Sequence, residues 1–149
     1  MKFVIFYNDF NFKFLRVFFH YKMISIKDIN EKDIDLCYEL DSNTISLWSK
    51  KQWAKEFKKE GITVLGILLS NLVVGICVFH VIHDEAQINF FVVNQKYRKK
   101  GFGSYLMKNL IKECRKLSIN KLFLEVSHKN RTICLGSIYR KRFSWVIFF

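Results

Sequence analysis

The 149-residue chain has no proline and only six glycines. No stretch is rich in Pro, Gly or Ser, and no repeat is present, so nothing marks a linker that would divide it. Its four cysteines, Cys37, Cys77, Cys114 and Cys134, stand far apart with no Cys-x-x-Cys pair. That spacing signals neither a zinc site nor a disulfide framework, and reduced core thiols in a cytoplasmic protein are the default. His20, His80, His83 and His128 show no ligand spacing either, so no metal is expected. Acidic residues are scarce: 13 Asp and Glu stand against 25 Lys and Arg, a net charge of +12. The imbalance is local. Residues 94–121 carry nine Lys or Arg and the single acid Glu113, a basic rim that suits a polyanionic cofactor and equally suits nucleic acid or ribosome.

What is present fits one domain with a single core: half the residues are hydrophobic and 26% are charged, which excludes global disorder. Residues 1–22 differ in composition, with seven phenylalanines and two tyrosines among scattered charges. Asp9, Lys13 and Arg16 interrupt this leader too often for a membrane span or a signal sequence. The expectation is an N-terminal extension, 1–22, ahead of a domain at 23–149 that starts naturally at Met23. An interfacial anchor is the alternative, although the apolar residues of the leader follow no single helical face.

From Met23, Ile-Ser-Ile-Lys-Asp-Ile alternates like a first strand. Asn30 and Asp33 cap a helix over about 31–40, and Ser49 with Gln52 forms a Ser-x-x-Gln capping box ahead of Trp53 and Phe57. The segment between them, up to Trp48, reads as a loop. Residues 62–82 hold no charged residue and are long enough to cross a bilayer. Their Val and Ile content and the central Ser70-Asn71 turn favour two buried strands of a meander instead. Asp84-Glu85 is expected to make the next turn.

The chain is organised around residues 89–107. An apolar run, Ile88 to Val93, leads to a basic loop with two glycines and then to a helix, whose apolar positions Tyr105, Leu106, Leu110, Ile111 and Leu117 recur at three- and four-residue steps. The first helical turn points its amides back at the loop, and Gly101 and Gly103 lack the Cβ that would hold a phosphate away. Lys99 and Lys100 add charge. A dinucleotide fingerprint would need a third glycine where Leu106 stands, and a P-loop would need Gly-Lys-Ser or Gly-Lys-Thr. What remains is Arg98-x-x-Gly101-x-Gly103 between a strand and a helix.

This pattern resembles the acetyl-CoA motif of the GNAT N-acetyltransferases. The segment Leu122-Phe-Leu-Glu125-Val126 with Asn130 is similar to the branch that acetylates the N-terminal alanine of a small-subunit ribosomal protein. The resemblance implies a mixed α+β fold, a twisted mixed sheet flanked by helices in the order β-α-α-β-β-β-α-β-α-β. It implies acetyl-CoA as co-substrate, held by Phe91, Val93, Arg98, Lys99, Lys100, Gly101, Gly103, Ser104 and Asn130, chiefly through main chain. It implies a protein N-terminus as acceptor, with no direct nucleic-acid partner and no membrane. Leu47 and Trp48 are candidate acceptor contacts by resemblance, or pack between helices. Glu125 is the general base by resemblance, against an exposed strand carboxylate paired with a lysine. Tyr139 is the candidate acid or a packing aromatic, because Ser137 stands where the family has tyrosine and Arg142 where it has glycine. The chain ends six residues past Phe143, so the C-terminal strand region is expected to be truncated, leaving binding better supported than catalysis.

Overall fold

The computed structural model describes residues 24–126 and 143–148, with side chains for 24–124. In chain order it holds β1 (Ile24–Asp28), α1 (Ile34–Ser42), α2 (Lys50–Phe57), β2 (Ile62–Leu69), β3 (Leu72–Ile82), β4 (Glu85–Val93), α3 (Phe102–Lys116), β5 (Lys121–Val126) and β6 (Phe143–Phe148). Both expected caps form. Asn30 and Asp33 cap each other around a 3-10 turn, Glu31–Asp33, that leads into α1, and Ser49 Oγ accepts the Gln52 amide at 3.2 Å while Gln52 Oε1 accepts the Ser49 amide at 2.7 Å. The six strands form one sheet in sequence order, antiparallel except for the β4–β5 pair. A parallel pair needs a crossover, and α3 is that crossover.

Residues 62–82, which a hydropathy reading could take for a membrane helix, are β2 and β3 joined at Ser70-Asn71. Their apolar continuity has a packing cause. Val74, Cys77 and Phe79 of β3 join the core under α3, while Val73, Ile76 and Val78 join the core under α1 and α2. A strand covered on both faces reads as one apolar run. No helix among the described residues is long and apolar enough to cross a membrane.

Two expectations are adjusted. The β3–β4 turn sits at His83-Asp84, with His83 at φ +55°, and Glu85 already belongs to β4. The buried face of α3 is Phe102, Leu106, Leu110 and Cys114, whereas Leu117 lies past the helix end and is half exposed. The last strand of the expected order forms, β6 pairing antiparallel with β5 from Lys121↔Phe148 to Val126↔Phe143. The helix expected between β5 and β6 falls outside the described residues, as does the leader 1–22.

One irregularity controls the middle of the sheet. Phe79 pairs with Ile88 and Val78 with Phe90, so Asn89 is an extra residue in β4. Before it Ala86 and Ile88 face the α3 core. After it Phe90 and Val92 face α1 and α2, and Val93 joins the α3 side. Such a bulge increases local twist and bends its strand.

Leu106→Ala is expected to cost about 2–5 kcal/mol by removing a fully buried side chain. Leu117→Ala should stay within about 0.5 kcal/mol, as exposed sites do. Urea unfolding midpoints of the two variants check the assignment of the buried face.

Candidate functional site

β4 and β5 are paired only from Glu85↔Lys121 to Ile88↔Leu124. Beyond that point β4 runs on to Val93 and β5 to Val126, each without the other. The closed end is tied by Asn120, whose amide donates to the Asp84 carbonyl at 2.7 Å and whose Nδ2 donates to Asp84 Oδ2 at 3.0 Å, and by the Lys121–Glu85 pair at 2.7 Å. The Asn120 hydrogen bond holds the Asp84 carboxyl below its ordinary range. The sheet is pinned at one end and splits at the bulge. On the β5 side, Asn89 to Val93 therefore border a gap among the described residues, while Phe90 to Val93 stay paired with β3 on the other side.

At the mouth of this gap the chain builds the basic loop. Asn94 accepts the Lys96 amide at 3.0 Å and its own amide donates to Val74 at 2.9 Å, fixing a 3-10 turn at Gln95–Tyr97. Arg98 Nε donates to the Val93 carbonyl at 2.9 Å, so the arginine first clamps the loop to the strand end. Lys100 lies over the Tyr97 ring, 5.6 Å from its centroid, and Tyr97 meets Phe102 edge-on. Lys99 at φ +59° and Gly101 at φ +88° are left-handed, a costly conformation for a side-chain-bearing residue such as Lys99. Gly101 is the N-cap of α3 and supplies no side-chain cap. The first amides of a helix have no intrahelical acceptor, and the helix dipole adds partial positive charge there.

Gly103 is informative because packing does not require it. A Cβ there would lie 3.8 Å from Val93 Cγ2 and 4.0 Å from Phe91 Cε1, ordinary contact. Among the described residues nothing crowds this position, so packing there does not explain the glycine. Phe91, Val93, Arg98, Lys99, Lys100, Gly101, Gly103 and Ser104 are thus brought together at one end of the gap.

Trp48 lies on the opposite face. It packs on Phe90 and Trp53, with ring centroids 4.9 Å away in both cases, while Leu47 is 55% exposed beside it. Glu125 is the first β5 residue past the last β4 pairing, opposite Ser144 of β6. Its side chain, and Asn130 and Tyr139 entirely, lie outside the described residues.

Two polar groups that the sequence reading missed stand in the apolar layer. Glu56, buried, accepts Asn89 Nδ2 at 3.0 Å and pairs with Lys59 at 2.5 Å, so α2 holds the bulge residue. Asn89 breaking an apolar strand was its only sequence signal. Asp41, buried behind Trp48, had none.

No group of three His, Cys, Asp or Glu among the described residues could hold a metal ion. The described cysteines are buried and free. Burial pushes the Cys37 thiol up to about 12, the Cys114 thiol to about 11, and raises Cys77 too. None of the three is a thiolate nucleophile at neutral pH.

Gly101→Ala should cost about 1–2 kcal/mol, the penalty for a Cβ in the left-handed region. Gly103→Ala should be neutral or stabilising by up to about 1 kcal/mol; denaturant unfolding compares them. Because the folded thiols stay protonated past their ordinary value near 9.0, their contribution to stability is complete below pH 9. It is lost as pH rises toward 11 to 12, where the unfolded chain ionises first. Mass-mapped iodoacetamide labelling of the native protein at pH 8 should leave Cys37, Cys77 and Cys114 unmodified.

Comparison with known proteins bears on the same region. The family described as Acetyltransferase (GNAT) family matches residues 27–134. A Bacillus subtilis (strain 168) protein, provisionally named [ribosomal protein bS18]-alanine N-acetyltransferase, is 25% identical over 108 residues, covering 71% of this chain and 72% of that protein. Among solved structures, the ribosomal-protein-S18-alanine N-acetyltransferase from Escherichia coli superposes with a TM-score of 0.69 at 24% identity, over 74% of this chain and 71% of that one. The PaiA N-acetyltransferase from Thermoplasma acidophilum, solved in complex with coenzyme A, gives 0.64 at 17% identity, over 74% and 83%. These structures share the fold, and with the family match spanning most of its length the chain belongs to the acetyltransferase (GNAT) family.

Proposed function

We propose that this acetyltransferase moves the acetyl group of acetyl-CoA directly onto a protein N-terminal α-amine, most closely that of an N-terminal alanine in a small-subunit ribosomal protein, in the cytoplasm. The observation that carries the reading is the loss of β4–β5 pairing after Ile88 and Leu124, directly ahead of a helix N-terminus left open by glycine. A coenzyme diphosphate suits that N-terminus: no described side chain crowds Gly103, and Lys99, Lys100 and the amides of Gly101, Gly103 and Ser104 would hold it. Bound acetyl-CoA supplies an activated thioester. Main chain near Phe91 and Val93, on the side of β4 that has left β5, would accept the pantetheine arm and donate an N–H to the carbonyl oxygen as it gains charge. Asn130 is assigned to the cofactor as well.

The remaining steps belong to side chains. An α-amine is mostly protonated at neutral pH and must lose a proton before it attacks. Glu125, at the first β5 position past the split, is assigned that proton, directly or through a water. Tyr139 is assigned the proton returned to the departing thiolate. Leu47 and Trp48 form the wall the acceptor meets. Burial of the three described thiols, Cys37, Cys77 and Cys114, supports direct transfer rather than an acyl-cysteine intermediate on any of them. The likeness to the Bacillus protein supports the alanine acceptor.

Titration with acetyl-CoA tests the site. Gly103→Glu places a carboxylate in the first turn of α3, where the helix tolerates it, so the fold should persist while affinity falls at least about tenfold. Equal affinity in the two proteins removes the site. Glu125→Gln should lower kcat about 100- to 10,000-fold on an alanine-initiated peptide and abolish the acidic limb of its pH–rate profile. Tight acetyl-CoA binding without transfer to any such peptide would leave a binding protein.

A further inference from the structure

The wall carrying Leu47 and Trp48 is a loop of six residues, 43–48, with an internal strain: Ser46 sits at φ +50°. A loop that exposes Leu47 and lacks regular structure needs something to hold it. Asp41, in the last turn of α1, is fully buried. Its main-chain carbonyl accepts the amides of Thr44 at 3.0 Å, Ile45 at 3.1 Å and Ser46 at 2.8 Å. Its carboxylate then takes up the rest of the loop. Oδ1 accepts the Leu47 amide at 2.8 Å, and Oδ2 accepts the Trp48 amide at 2.8 Å and the Trp53 indole Nε1 at 3.1 Å.

A carboxylate is costly to bury unless its oxygens are filled. Here three neutral N–H donors fill them, and two belong to the residues placed on the acceptor wall. The third ties the same carboxylate to Trp53, whose ring supports Trp48 and Phe90. Phe90 follows the bulge on the β4 segment that borders the gap. One buried acid therefore fixes the main chain of the wall and the aromatic platform beneath it to the strand at which transfer would occur. An asparagine has the same shape but offers one acceptor oxygen and two donors. It would turn an N–H toward N–H groups that need acceptors.

We propose that Asp41 is a positioning residue for the acceptor: it acts through Leu47 and Trp48 and sets how the incoming N-terminal peptide is bound, with no part in holding acetyl-CoA. The inference rests on the reading of the chain as an N-terminal amine acetyltransferase.

Kinetics with an alanine-initiated hexapeptide and acetyl-CoA separate the two. With Asp41→Asn, the KM for the peptide should rise about tenfold or more, as hydrogen bonds to a charged acceptor are lost. The kcat at saturating peptide and the Kd for acetyl-CoA should stay within about twofold of wild type. An unchanged peptide KM in a wild type that turns over overturns the positioning role alone. A fall in acetyl-CoA affinity equal to the rise in KM also overturns it, because general loosening would then explain both. A wild type that binds acetyl-CoA but acetylates no N-terminal amine overturns the enzymatic reading and this inference with it. If the variant does not fold, amide hydrogen exchange of the wild type decides: Leu47 and Trp48 amides should exchange at least about a hundredfold slower than an unstructured chain, and exchange at unprotected rates excludes the carboxylate anchor.

Discussion

One additional residue in β4 sets the character of this protein. Asn89 has no partner in β3, and the strand that carries it turns away from β5 within the same step. Without the bulge, β4 would keep one apolar face, and regular pairing with β5 could continue past Leu124. With it, the strand changes which side chains face which helix layer, and its β5 side has no strand partner past Ile88 among the described residues. Main chain buried without a partner is unfavourable, so the parting of the two strands needs support from elsewhere in the fold. The bond from Asn89 to buried Glu56 shows the bulge is held from α2, as well as tolerated.

The loop after β4 is organised before anything binds to it. Arg98 returns to the Val93 carbonyl, Asn94 caps the next turn, and Tyr97 packs between Lys100 and Phe102. These contacts fix the start of α3, whose first turn lies beside Val93 at the end of the strand that left its neighbour. Preorganisation of this kind lowers the entropy a ligand must give up on binding. The excess of lysine and arginine in residues 94–121 surrounds this loop with positive charge.

The other face follows a different logic. There the sheet is covered by short helices and an aromatic layer of Trp48, Trp53, Phe57 and Phe90, with two buried acids inside it. Asp41 and Glu56 are costly to place in such a layer, and each is satisfied by named donors. Filled polar networks specify one packing among many that apolar contacts alone would allow. Asp41 orders the loop and Glu56 orders the bulge, so both acids act on the borders of the gap.

Local chemistry was legible in the residues. The capping pairs Asn30/Asp33 and Ser49/Gln52, the turn at Ser70-Asn71, and the strand–glycine–helix pattern around Gly101 and Gly103 each depend on neighbours a few positions away, and sequence displays such neighbours directly. The match of family and fold followed from that same pattern. Where the helical periodicity misled, at Leu117, the helix had already ended at Lys116, and a repeat in sequence carries no information on where a helix leaves the sheet. The sequence by itself thus determined the described elements, their order and the glycine turn ahead of α3. Only the tertiary structure decided that Asn89 is a bulge, that β4 and β5 part after four residue pairs, and that Asp41 reaches Trp48 and Trp53, because register and long-range hydrogen bonds are settled between segments that meet only after the chain has folded.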